Sequence, residues 1–313
     1  MVEFEEFSFV SSDGVTVAAY KWEAQKPIAL LQIVHGSVEY AMRYDAFARA
    51  LCEHGITVYA EDHLGHGKTA ESDDYVGHIS DSKGAFLKIV EDMHTLDQRM
   101  REENPGLPVF MYGHSMGSML ARLYAAKYGK TLNGVVLTGV GGRSAAFLTG
   151  MIATARCAMI LRGGRYRLAM LNNMYNNVLS GPFGKERPHE FISSDPAVVE
   201  AYNADPRCGN ALSAEFFREM LWGTRESASK KVIGGFPKDL PLFVGAGEFD
   251  TAGGGEGLKD VRRHVALYEK AGVSDLTFKV YSGMRHEILN EKNKQQVWDD
   301  ITSWLNKHVT VKK

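Results

Sequence analysis

Residues 109–127 read VFMYGHSMGSMLARLYAAK, and this stretch decides the fold. The apolar run 109–112 suits a strand buried on both faces, and 116–127 suits a helix. Between them, Gly113-His114-Ser115-Met116-Gly117 fits the pattern G-x-S-x-G. A turn that sharp, from strand directly into helix, needs small residues at both ends because Cβ atoms there would clash. Such a turn lifts the Ser115 hydroxyl above the sheet edge. It also directs the backbone N–H of Met116, at a helix N-terminus, toward the place where an oxyanion would form.

The same alternation extends in both directions. Upstream, 6–10 and 15–21 flank the turn signal Ser12-Asp13-Gly14, which predicts a hairpin. An almost unbroken apolar run, 28–34, ends at His35-Gly36-Ser37. A helix is expected over 44–54, closed by Gly55, then a strand over 56–60 and a helix over 83–103 with Phe86, Leu87, Val90, Met93 and Leu96 on one face. Downstream, 135–138 reads as a strand. The alternation breaks after Gly142 and resumes with a strand over 240–244, a helix over 257–271, a strand over 276–281 and a helix over 294–309. This order predicts an α/β fold with a mostly parallel, doubly wound sheet. Residues 1–142 and 238–313 would form its core, and the Met-rich stretch 143–237 a helical cap inserted over the site. The helical piece 145–161 carries Arg156 and is shorter than the ~20 residues needed to cross a bilayer. Arg143, Arg162, Arg165 and Arg167 flank it, so any membrane contact through the cap would be peripheral.

The 313 residues are 44% apolar and 24% charged, with a formal net charge of −2 and no basic block, which gives no reason to expect nucleic acid. The start, MVEFEEFSFV, lacks the basic and apolar segments of a secretory signal. Cys52, Cys157 and Cys208 are odd in number and far apart, so they are expected to be reduced and packed, in a cytoplasmic protein. The sequence makes no prediction of oligomeric state.

A serine hydroxyl needs a base to become a nucleophile. Of the 11 histidines, His286 is the candidate, because it lies in a loop just beyond the strand 276–281, where α/β sites collect. His114 precedes the serine and is expected to pack, His94 and His264 fall within helices, and His308 lies near the chain's end. The base needs an orienting acid. Asp250 lies just beyond the strand that ends in 242–250, with Glu248 as its competitor. The order Ser115, Asp250, His286 is the one this architecture uses. A second oxyanion donor is expected from the loop after the third strand, at the N–H of Ser37, with His35 bracing that loop. Asp62 and Gly65-His66-Gly67 read as a structural turn. Glu39 either contacts substrate or braces the loop. Neither metal nor organic cofactor is required.

Val34-His-Gly-Ser-Val-Glu39, Asp62-His-Leu-Gly-His-Gly67, Gly113-His-Ser-Met-Gly117, Gly247-Glu-Phe-Asp250 and Tyr281-Ser-Gly-Met-Arg-His-Glu287 occur in the order seen in α/β-hydrolases. The chain resembles the monoacylglycerol lipase and lysophospholipase-like group of that fold, as does the segment 194–205. The resemblance implies an α/β-hydrolase fold and hydrolysis of an ester on a single-acyl lipid, with the cap forming the acyl tunnel. Ser115, Asp250 and His286 match the family's triad, and the amides of Ser37 and Met116 its oxyanion hole. Substrate contacts are expected at Gly36, Glu39, Met151 and Met174. Thr251-Ala252 departs from the family's proline-and-valine pair, and Gly253-Gly254-Gly255 implies a loosely specified loop there. Two other readings stay open. One is a peptidase that removes N-terminal residues, holding the substrate amine on Glu190, Glu200 or Glu215. The other is a ligand-binding protein without turnover. The apolar Phe147, Leu148, Met151, Met159, Met170 and Met174 favour an acyl chain.

Overall fold

A computed structural model describes residues 2–70, 72, 75–79, 84–142, 144–184 and 187–309. Eight strands form one sheet: β1 Glu3–Val10, β2 Thr16–Glu23, β3 Ala29–Val34, β4 Ile56–Glu61, β5 Val109–His114, β6 Gly134–Thr138, β7 Leu242–Gly247 and β8 Leu276–Tyr281. Their spatial order is β1-β2-β4-β3-β5-β6-β7-β8. The β1–β2 and β2–β4 pairs are antiparallel and the other pairs parallel, so the mostly parallel α/β sheet read from the sequence is what the chain forms. Among the described residues ten α-helices accompany the strands: α1 Asp45–Glu53, α2 Ala85–Glu103, α3 Met116–Tyr128, α4 Ala145–Arg162, α5 Ala169–Ser180, α6 Pro196–Ala204, α7 Ala214–Glu226, α8 Lys230–Gly235, α9 Lys259–Ala271 and α10 Lys294–Lys307.

The unbroken apolar runs have a plain cause. Successive side chains of a strand point to opposite faces. In β5, Val109 and Met111 join one buried cluster while Phe110 and Tyr112 join the other. The first cluster lies against α2, α3 and α9, and the second against α1 and α10.

Several expected boundaries move, each for a local reason. Strand β7 starts at Leu242 rather than 240, since Pro241 has no N–H to donate to a ladder. It runs on to Gly247, where a Cβ would stand 2.0 Å from Arg285 O, so glycine alone allows that approach. Helix α9 starts at Lys259 rather than 257, because Gly257 and Leu258 have φ of +77° and +52°. Helix α2 starts at Ala85 after Gly84 at φ +82°; Lys83, the expected start, lies outside the described residues. All three cysteines are free, but Cys157 is exposed on α4 rather than packed, while Cys52 and Cys208 are buried.

Among the described residues five helices, α4–α8, occupy the stretch between β6 and β7. Among the described residues no helix is long and apolar enough to cross a membrane. Because β3, β5, β6, β7 and β8 run parallel, their C-terminal ends emerge together at one edge of the sheet. In this architecture ligands bind beyond that edge.

Candidate active site

The turn after β5 is as tight as its glycines imply. A Cβ on Gly117 would stand 2.0 Å from Val34 O, and one on Gly113 would stand 2.5 Å from Gly117 O. Ser115 between them has φ +53° and ψ −114°, a conformation that costs a non-glycine residue roughly 1–3 kcal/mol. The surroundings enforce it. Ser115 N donates to Thr138 O of β6 at 3.0 Å, and the N and Oγ of Ser118 both donate to Ser115 O, at 3.0 and 2.6 Å.

Asp250 is fully buried beyond β7, and its Oδ1 accepts from His286 Nδ1 at 3.0 Å. The same oxygen takes the N–H groups of Ala252 at 2.9 Å and Gly253 at 3.2 Å. The loop expected to be loosely specified is therefore well tied, and Thr251 Oγ1 adds a bond to Leu179 O at the end of α5. Burial would raise the Asp250 carboxyl, but the His286 charge and these hydrogen bonds bring it below its ordinary value. Burial would lower His286, and the Asp250 charge raises it above the ordinary imidazole value instead. Glu248 faces elsewhere, accepting from Ser282 Oγ and Gly283 N.

Ser37 and Met116 flank the Ser115 position. A Cβ on Gly36 would lie 3.3 Å from Ser115 Cβ, which brings the loop after β3 directly against the elbow. Among the described residues neither the Ser37 N–H nor the Met116 N–H has an acceptor. Glu39 braces this loop, accepting from Gly36 N at 2.6 Å, Tyr44 OH at 2.9 Å and Arg43 at 2.6 Å. His35 braces it from the other side, with Nε2 accepting from His63 N and Nδ1 against Gly36 O. Burial lowers His35, His63 and His66, His63 to about 3, so this stack stays neutral. His114 is likewise a packing residue, 4.8 Å from the His286 ring and pushed by burial to about 3.

The sequence did not single out Arg43 or Glu287. Arg43 bonds Glu287 through both terminal guanidinium nitrogens at 2.7 Å while holding Glu39. Against the upward push of burial, the Arg43 charge brings Glu287 down to about 2. This bridge joins the loop of Ser37 to the loop of His286. Its signal was the approximate helical spacing of Glu39 and Arg43; the third partner, 244 residues away from Arg43, could only be found in three dimensions. Gly139, after β6, was also missed. A Cβ there would lie 2.7 Å from the His114 ring and 2.9 Å from the His286 ring.

Ser37, His114, Ser115, Met116, His286 and Glu287 line one cavity of about 510 Å³, together with Gly36, Glu39, Met151 and Met174. Met119, Leu148, Leu171, Phe217, Met220 and Leu221 give it an apolar wall. In this structure no hydrogen bond joins His286 to Ser115 Oγ; such bonds are often long before substrate is present. Among the described residues no cluster of His, Cys, Asp or Glu could hold a metal ion.

The sheet order, the serine elbow after β5 and the loops beyond β7 and β8 define an α/β-hydrolase. The family model described as "Serine aminopeptidase, S33" matches residues 25–293, and the chain belongs to that family. Among curated relatives, the chain is 28% identical to the monoacylglycerol lipase of Mycolicibacterium smegmatis over 97% of this chain and 98% of the relative. It is 29% identical to human monoglyceride lipase over 95% of this chain and 89% of the relative. Among solved structures, the highly thermostable carboxyl esterase from Bacillus coagulans in complex with glycerol superposes with a TM-score of 0.89 at 30% identity, covering 99% of this chain and 100% of that one. The similarity of these relatives supports an ester hydrolase.

Proposed function

We propose that this chain is a serine hydrolase that cleaves the ester of a single-acyl lipid through an acyl-enzyme. His286 takes the Ser115 proton as the hydroxyl attacks the ester carbonyl. The oxyanion is held by the N–H groups of Ser37 and Met116. The protonated His286, stabilised by Asp250, returns the proton to the departing alcohol, and water repeats the cycle on the acyl-serine. In this reading residues 143–237 act as a cap whose apolar wall holds the acyl chain.

The supporting observation is the cavity. One volume of about 510 Å³, within the ordinary range of roughly 300–1,000 Å³ for small-molecule sites, is lined both by Ser115, His286 and Ser37 and by methionine, leucine and phenylalanine side chains. The aminopeptidase reading finds less support. None of Glu190, Glu200 and Glu215 lines this cavity. Glu190 pairs with Arg187 and Arg285, Glu200 with Arg187, and Glu215 lies with Arg218 at a different cavity. In this reading the enzyme works in the cytoplasm and meets lipid surfaces peripherally, through the outer faces of α4 and α5.

The test is hydrolysis of p-nitrophenyl esters of graded chain length, beside an aminoacyl anilide, with Ser115→Ala as control. Ester turnover with an acyl burst, lost by about 10⁵–10⁶-fold in the variant, is the expected result. Cleavage of the anilide alone would replace the reading with the peptidase, and absence of turnover on every substrate would replace it with the binding protein.

A further inference from the structure

Further along α3 from Ser115, Arg122 is among the largest side chains that the fold buries completely. A guanidinium only donates hydrogen bonds and does not give up its charge. Nε of Arg122 donates to Ser118 O at 3.0 Å, and Nη1 donates to His264 Nδ1 at 3.0 Å. Nη2 is buried and has no partner among the described residues. Nor does any described carboxylate pair with this arginine. Burial pulls Arg122 below its ordinary value, and Tyr268 is the one titratable neighbour that acts against the fall.

The neighbours on α9 do not supply the missing negative charge. Because Arg122 can only donate, His264 Nδ1 accepts. Burial and the charge of Arg122 hold His264 well below the ordinary imidazole value, so the ring is neutral. Tyr268 lies one turn further along α9, on the same face. Its hydroxyl is also buried without a partner. Burial pushes the phenol up to about 12, so it keeps its proton and is available as a donor.

Elsewhere in the molecule, buried groups with unpartnered atoms escape by losing their charge. Burial raises Glu61 to about 8 and lowers His63 to about 3, and both are neutral at pH 7. Arg122 has no such route. A buried cation without a counter-charge is strongly destabilising, and a water molecule would satisfy its hydrogen bonds but not its charge.

We propose that Arg122 and Tyr268 hold a small inorganic anion of the halide class between α3 and α9. None of Arg122, His264 and Tyr268 lines the catalytic cavity, so the site is separate from it and does not rest on the ester reading. It stands between two elements that carry the triad. Ser118, whose carbonyl Arg122 holds, donates through Oγ to Ser115 O at the elbow. In the first turn of α9, Asp260 N and Val261 N donate to Gly253 O in the loop of Asp250. The anion would complete the contact between these two helices.

The experiment is thermal unfolding of the full chain at fixed pH and ionic strength while sodium gluconate is replaced by sodium chloride. The wild-type midpoint is expected to rise by about 1–3 °C for each tenfold increase in chloride above its Kd. Arg122→Met keeps the bulk without the charge and is expected to make the midpoint independent of chloride. Should that variant not fold, Tyr268→Phe removes a single donor. It is expected to raise the chloride needed for the same effect about tenfold. Bromide soaked into wild-type crystals is expected to give an anomalous peak beside Arg122 Nη2. A wild-type midpoint indifferent to chloride would overturn the site, as would a chloride response that survives unchanged in the variants. A bromide peak without any chloride effect on the midpoint would mean an adventitious ion only. Absence of that peak would mean that water or nothing meets Nη2, and the proposal would fall.

Discussion

The two halves of the stretch between β6 and β7 meet the sheet in different ways. Residues 187–213 are tied to it by directional polar contacts. His286 N and Glu287 N donate to Phe191 O and Ile192 O, Gly209 N and Tyr202 OH both donate to Val38 O, and Arg285 reaches the carbonyls of Glu190 and Ser193. Helices α4 and α5 contribute mostly apolar side chains, and their outer faces are open: Ile160 is 83% exposed, Leu161 78% and Met170 73%. Hydrogen bonds fix where an atom sits to a few tenths of an ångström, whereas apolar contact fixes only that a volume is filled. The first half therefore locates the loops of His286 and Ser37, and the second shapes the apolar part of the cavity.

The sharpest way to break this comparison is at the tightly located end. Asp250→Asn should lower kcat by about 10⁴-fold while leaving the fold intact, as loss of the orienting acid does in other triads. The same variant should move the acid limb of the pH profile. The charge of Asp250 raises His286, so the protonated, inactive imidazole persists to higher pH and activity falls as pH drops through that raised value. Without the charge, burial dominates and lowers His286, and the limb should shift toward lower pH. A limb that stays in place would mean that Asp250 does not set the charge of His286.

Next in size is Arg43→Met. It would leave Glu39 and Glu287 buried without their shared cation, at a cost of about 3–5 kcal/mol. Thermal unfolding should show a fall on the order of 10 °C. A change of less than about 3 °C would mean that the bridge between the two loops is dispensable. The smallest effect belongs to the outer helices. Exposed substitutions such as Ile160→Ser, Leu161→Ser and Met170→Ser should each shift stability by no more than about 0.5 kcal/mol. They should lower turnover of esters presented in vesicles more than turnover of dissolved short-chain esters. Equal losses on both would mean that these faces do not meet lipid.

How much of this was legible in the sequence follows the same division. The buried strands announce themselves because both faces need apolar residues, and the elbow does so because two glycines are forced by backbone contacts at 2.0 and 2.5 Å. Asp250 could be ranked above Glu248 because it lies further out beyond its strand. The choice between bracing and binding for Glu39 could not be made, since its partners Arg43, Tyr44 and Gly36 define its role only once folded. The orientation of His189 was hidden for a related reason: its Nδ1 faces Asn203 Oδ1, whose amide is turned by Pro188 O, and no spacing rule encodes a tautomer.

Among the free thiols, Cys52 and Cys208 are enclosed, and burial pushes the Cys52 thiol up to about 12. Cys157 alone is exposed, on α4 between Met151, which lines the cavity, and the open residues Ile160 and Leu161. The native chain thus has a single reachable attachment point on a helix that lines the cavity. A maleimide fluorophore placed there would report chain-length-dependent filling of the cavity without any engineered residue.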